Sequence, residues 1–225
     1  METHPIGVAG TFRNSTLLAL LCVFAVLAVL DTVLAKSAII VPFNKAVWEP
    51  IRGLRAEMPW LKIPMIAVTL LASDPGLCIF VIALAIGYIR HRRRSDAVWL
   101  ILIIIIGQIT VVLAKALVRL DRPLLVPPPL PFYTFSGYSF PSGHALMSTV
   151  VLGSAALIAV RHAKTKAGRN VTILGCVFLV LVVGLSRIYL GAHWANDVVG
   201  GYLYGICILI SVHLLRKKFR PRVGA

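Results

Sequence analysis

Charge is scarce in this sequence, and acidic charge most of all. Its 225 residues include 8 Asp and Glu against 23 Lys and Arg, and charged residues of both signs amount to 14%. That shortage, with a mean hydropathy of +0.90, excludes both a disordered chain and an ordinary soluble domain. Cysteine is rare too. Cys22, Cys78, Cys176 and Cys207 lie inside apolar runs without CxxC spacing, which argues against a disulfide framework or a zinc site and reads them as small buried hydrophobes. The sequence has no nucleotide-cradling glycine motif and no internal repeat beyond hairpin-like helix pairs.

What is present is apolar: hydrophobic residues make up 59% of the chain. They gather in six runs, Leu17–Leu34, Ile63–Ile89 (interrupted at Ser73-Asp74-Pro75-Gly76), Ala97–Ala114, Ala145–Val160, Val171–Ser186 and Val198–Leu215. Each is near the roughly 20 residues that cross a bilayer as helix, and the first is too long for a signal-peptide core. The expectation is an all-α, six-transmembrane-helix bundle in one domain over residues 1–225. Val47, Ile51 and Leu54 recur at helical spacing among charges between Phe43 and Glu57, which predicts a short amphipathic helix on the outer surface. Pro123 to Phe140 holds Pro123, Pro127, Pro128, Pro129 and Pro131 and is expected to be an outer loop.

The net charge of +15 would suggest nucleic acid in a soluble protein; in a membrane protein it points to lipid headgroups and the cytoplasm. The basic clusters at Arg90–Arg94, Lys164–Arg169 and Arg216–Arg222 put both termini in the cytoplasm of a multi-pass cell-membrane protein, with anionic lipids as partners at that face.

Ionisable groups at membrane depth are expensive, so their positions are informative. Lys115, Arg119 and Arg122 fall at i, i+4 and i+7 at the outer end of the third run. Pro141-Ser142-Gly143-His144 opens the fourth, Ser186-Arg187 closes the fifth, and His193 and Asp197 begin the sixth. All four segments meet at the outer side. Lys115, Arg122 and Arg187 supply positive charge suited to phosphate oxygens. Ser142 and Gly143, at a helix start, offer backbone N–H groups to an anion. Asp197, four residues after His193, can accept from one ring nitrogen and leave the other as a nucleophile, and His144 is placed to protonate a leaving oxygen.

These residues match three motifs position for position: Lys115-(six residues)-Arg122-Pro123, Pro141-Ser142-Gly143-His144, and Ser186-Arg187-(five residues)-His193-(three residues)-Asp197. In them the chain resembles the type 2 phosphatidic acid phosphatase (PAP2) superfamily, with a motif-bearing core at 97–215. The resemblance implies a metal-independent lipid phosphatase without cofactor. In it His193 attacks phosphorus to form a phosphohistidine, Asp197 orients His193, and His144 is general acid and then base. Lys115, Arg122, Ser142, Gly143 and Arg187 hold the phosphoryl oxygens. Asp197 is the single acid among the motif residues, which leaves no carboxylate cluster for Mg²⁺. Candidate substrates are undecaprenyl diphosphate, phosphatidate and phosphatidylglycerophosphate. The competing readings are a non-hydrolytic transporter or scramblase and a vanadium haloperoxidase-like enzyme. Arg119 lies outside the pattern and is expected to snorkel or to pair with Asp121. Asp31, Lys36 and Asp74 are expected to be interfacial or structural.

Overall fold

The computed structural model describes residues 13–123, 137–160 and 162–218; most of the proline-rich loop, 124–136, lies outside the described residues. Regular structure among them is helical: α1 (Asn14–Leu34), α2 (Val41–Glu57), α3 (Lys62–Leu71), α4 (Asp74–Arg90), α5 (Arg94–Val118), α6 (Gly143–Val160), α7 (Lys166–Tyr189) and α8 (Ala195–Lys218). Single 3-10 turns occupy Ala38–Ile40 and Pro59–Leu61.

Five of these helices, α1, α5, α6, α7 and α8, are long and apolar enough to cross a membrane. The pair α3 and α4 makes a sixth span if counted as one, bent by 56° at the interruption read in the sequence. Helices α5, α7 and α8 outrun their apolar runs at both ends and α1 and α6 at the start, because a run marks the depth of hydrocarbon whereas backbone hydrogen bonding continues into the polar interface. The 21 residues of α1 span about 31 Å at 1.5 Å per residue.

Outward faces are largely apolar: Val26, Val29 and Val33 of α1, Leu117 of α5 and Phe178 of α7 are all exposed. Lipid is as apolar as a protein core, so such faces need no cover. The same physics corrects the reading of the cysteines as buried: Cys22 and Cys78 are exposed, and Cys176 and Cys207 half-buried, all four as free thiols.

With burial in a core offering little net gain in lipid, close approach of small residues must hold the centre together. Helices α6 and α8 make that contact through Gly201 and Gly205, spaced four apart. A Cβ on Gly201 would lie 2.7 Å from the Ser142 carbonyl and 2.8 Å from Ala145 Cβ; one on Gly205 would lie 2.7 Å from Thr149 Cβ. The crossing therefore sets the height at which the start of α6 meets the start of α8.

The amphipathic helix forms as α2, rotated from the expected face. Asn44, Trp48 and Ile51 are buried, whereas Leu54 is exposed. Asn44 Nδ2 donates to Asn196 Oδ1 at 2.7 Å and Asn44 Oδ1 accepts from Asn196 N at 3.1 Å, so a paired amide turns the helix toward α8. Arg55 holds its other end, donating to the Tyr189 carbonyl at 3.2 Å with its guanidinium over the Tyr189 ring.

The basic end is tied across the bundle: Arg216 pairs with Asp96, His162 Nε2 lies 3.9 Å from Asp96 Oδ2, and Lys217 donates to Asn14 at 3.5 Å. The motif residues collect at the opposite end.

Candidate active site

The chain leaves α7 through a turn that the sequence marks with Gly191. Gly191 has φ +69°, its N–H donates to the Ile188 carbonyl at 2.9 Å, and Ala192 N donates to the Arg187 carbonyl at 3.0 Å. These two bonds and the left-handed residue make a Schellman cap, which reverses the chain and sets His193 beside Arg187. Helix α8 then begins with Trp194 N donating to Asp197 Oδ2 at 2.8 Å, the carboxylate half of a capping box. Asn44 Oδ1 accepts from a second N–H of that first turn, the one of Asn196. One short segment thus fixes Arg187, His193 and Asp197.

His193 and Asp197 are buried, and His193 Nδ1 lies 3.3 Å from Asp197 Oδ2. On the other side of the ring, Arg122 Nη1 lies 3.2 Å from His193 Nε2. A guanidinium can only donate, so Nε2 carries the lone pair and Nδ1 the proton, directed at Asp197. Burial first, then the charges of Arg187, Arg122, Lys115 and His144, holds the His193 imidazole neutral well below its ordinary protonation range.

Ser139, which the sequence reading missed, completes the carboxylate's partners. Its hydroxyl donates to Asp197 Oδ2 and lies 3.3 Å from His193 Nδ1. Asp197 Oδ2 therefore gathers three donors, while Oδ1 is buried without a partner.

The segment around Ser139 is held by the expected cations. Lys115 Nζ donates to the Tyr138 carbonyl and, at 3.4 Å, to that of Ser139; Arg122 Nε donates to the Gly137 carbonyl at 3.0 Å and Nη1 to the Ala192 carbonyl at 3.0 Å. Ser139 N closes the loop onto the Leu120 carbonyl at 2.6 Å. Arg187 is buried at the end of α7 and acts electrostatically on both imidazoles. Arg119 stays outside the cluster. It caps α5 at φ +50° and donates to the Ala116 carbonyl at 2.9 Å rather than to Asp121.

At the start of α6 the geometry departs from expectation in one respect. Ser142 N is not offered to a ligand but donates to the Asp197 carbonyl at 2.8 Å, locking α6 to α8. Its hydroxyl is buried without a partner, and the N–H groups of Gly143 and His144 open the helix. The His144 ring hydrogen-bonds the Thr69 backbone and leaves a buried Nε2 without a partner. Asp31 was expected to be interfacial or structural; it packs from α1 against Gly200 beside Phe140, where it feels the charge of Asp197. Among the described residues no group of three or more His, Cys, Asp or Glu is placed to hold a metal ion.

Two imidazoles, a carboxylate beside one of them and three cations thus stand together at one end of a helical membrane bundle. The chain belongs to the PAP2 superfamily, whose profile matches residues 96–221. Phosphatidylglycerophosphatase B of Bacillus subtilis (strain 168) is 29% identical over 166 residues, 73% of this chain and 79% of that protein. Undecaprenyl-diphosphatase of Sulfolobus acidocaldarius is 32% identical over 139 residues, 58% of this chain and 60% of that protein. A transmembrane PAP2 type phosphatidylglycerolphosphate phosphatase from Bacillus subtilis, solved by crystallography, superposes with a TM-score of 0.78 over 95% of this chain and 100% of that one. At 20% identity that likeness speaks for the fold.

Proposed function

We propose that the protein removes phosphate from a membrane lipid phosphate or diphosphate through a phosphohistidine, without a metal ion. The observation that carries this reading is the Arg122–His193 contact at 3.2 Å, because it assigns the lone pair to His193 Nε2 and the proton to Nδ1 beside Asp197. Nε2 attacks phosphorus as the bond to the leaving oxygen breaks, and His144, which carries a proton on both ring nitrogens once the anionic phosphate is bound, gives that oxygen the one on Nε2. Asp197 and Ser139 stabilise the ring as it becomes cationic. His144 then takes a proton from water, which attacks phosphorus and releases phosphate and His193. Lys115, Arg122 and Arg187, the Gly143 N–H and the Ser142 hydroxyl suit the equatorial oxygens, where phosphoryl transfer gathers its charge.

The site faces outward in this reading and both termini are cytoplasmic, supported by the grouping of Arg216, Lys217 and the start of α5 at the opposite end of the bundle. Anionic lipids of the inner leaflet are the partners that suit that basic end. The substrate candidates are undecaprenyl diphosphate, phosphatidate and phosphatidylglycerophosphate. Undecaprenyl diphosphate suits an outward site best, since cell-wall polymerisation leaves it at that face. The test is phosphate release from a panel of these lipids by the full chain in liposomes, beside His193→Ala. Hydrolysis of none of them, or near wild-type turnover by His193→Ala, would overturn the proposal.

A further inference from the structure

A break in a membrane span exposes carbonyls to a medium without water, so each freed carbonyl must find a partner. In a continuous helix Ser73 N would donate to the Thr69 carbonyl. Here Ser73 N donates to Leu70 at 3.2 Å and Ala72 N to Val68 at 3.1 Å, so the Thr69 carbonyl is left out of the ladder. The break is built into the sequence by Pro75 in the first turn of α4 and by Gly76, where a Cβ would lie 2.6 Å from the Leu70 carbonyl oxygen. The partner of the Thr69 backbone is the His144 ring.

Thr69 itself is held firmly. It is 1% exposed, and its Oγ1 lies 2.8 Å from Ser186 Oγ. Ser186 spends its one hydroxyl proton on the Val183 carbonyl at 2.7 Å, so Thr69 must be the donor between them. The bond fastens the broken end of α3 to the residue preceding Arg187. A carbonyl can only accept, and His144 Nε2 has no partner, so the nitrogen facing Thr69 is a protonated Nδ1.

We propose that Thr69 is a positioning residue: its main-chain carbonyl, freed by the break between α3 and α4 and held by the Thr69–Ser186 hydroxyl bond, fixes the His144 ring with Nε2 toward the leaving oxygen. The proposal rests on the role of His144 as leaving-group acid given above. The break in the second span is thus part of the proton-transfer apparatus, and α3 supplies it from outside the three motifs.

The test compares alkyl and aryl phosphates of equal chain length, hydrolysed by the full-length protein in liposomes. Alkyl leaving groups need protonation and aryl ones need it little. Thr69→Val is expected to lower kcat/KM, which reports the steps up to departure of the leaving group, about tenfold for the alkyl substrate, the worth of one buried hydrogen bond, and less than about threefold for the aryl substrate. Thr69→Ser should restore both. Ser186→Ala, which removes the acceptor and spares Thr69, should repeat the pattern and stands in if Thr69→Val does not fold. Equal losses for the two substrates, or no loss from Thr69→Val and Ser186→Ala alike, would overturn the positioning role. His144→Ala separates the two layers. If it shows the leaving-group pattern and the Thr69 and Ser186 variants do not, the positioning inference alone fails; if it lacks the pattern, the acid role of His144 fails first.

Discussion

Replacing Asp197 by Asn tests the electrostatic part of the mechanism while nearly preserving shape. Asp197 Oδ2 accepts from Trp194 N at 2.8 Å, from Ser139 Oγ and from His193 Nδ1 at 3.3 Å. An Asn oxygen can take that place, but its NH₂ then occupies the position of Oδ1, which is buried without a partner. The opposite amide orientation sets donors against donors and drives the His193 proton to Nε2, against the Arg122 guanidinium. In both orientations the charge that faces the cationic ring of the intermediate is gone. At 3.3 Å and an effective dielectric of about 20, that interaction is about 5 kcal/mol, of which the amide dipole recovers part. A net loss of about 3–5 kcal/mol corresponds to a fall in kcat of roughly two to four orders of magnitude. Ser139→Ala removes one hydrogen bond to a carboxylate, about 1.5–3 kcal/mol, and should reduce kcat less, by roughly tenfold to a hundredfold. The assay is phosphate release at saturating lipid substrate, with thermal unfolding of each variant to confirm that the bundle is intact. A folded Asp197→Asn enzyme within tenfold of wild type, or one less impaired than Ser139→Ala, would refute the reasoning.

The neutral state of His193 predicts that the acid limb of kcat/KM lies below pH 6.5, because burial and the neighbouring cations oppose protonation. Removing one of those cations with Arg187→Gln raises the protonation range, so the limb should move to higher pH as well as lower in amplitude; a pH–rate profile that does not move would contradict this. Gly201→Ala should lower thermal stability by about 1–3 kcal/mol, since its Cβ would meet the Ser142 carbonyl at 2.7 Å, and an unchanged Tm would show that the α6–α8 crossing is looser than described. Chelation with EDTA should leave hydrolysis intact while orthovanadate inhibits it, as vanadate can take five-coordinate geometry with His193 Nε2 at an apex. An absolute need for added Mg²⁺ in phosphate-release assays would be the contrary result.

Much of this architecture is written locally. The apolar runs mark the spans because hydrocarbon depth sets their length, and the break at Ser73-Asp74-Pro75-Gly76 announces itself by its residues. Six of the motif residues, Lys115, Arg122, Arg187, His144, His193 and Asp197, act on one another electrostatically, and each stands in the sequence at or near the end of an apolar run. The supporting residues were hidden because their meaning lies in distant partners. Ser139 reads as one serine in a tyrosine- and phenylalanine-rich loop until it meets Asp197, 58 positions on. Thr69 is one hydroxyl in an apolar run, and its partner Ser186 is 117 positions away. Asn44 carried a faint signal: it falls in helical register with Trp48 and Ile51, a polar residue on what would otherwise be an apolar face, and that register also gives the true rotation of α2. The use of Ser142 N by Asp197 could not be read at all, since it depends on the height of the glycine-mediated crossing.

The central claim is a covalent bond between phosphorus and His193 Nε2. Its most direct measurement is rapid acid-free quenching of the enzyme with a lipid substrate labelled in its terminal phosphate, followed by peptide mass spectrometry under alkaline conditions that spare phosphohistidine. Label on His193 in the wild type, prolonged in His144→Ala and absent from His193→Ala, is the predicted result. Steady phosphate release with no phosphate ever bound to the protein, or label on another residue, would contradict it.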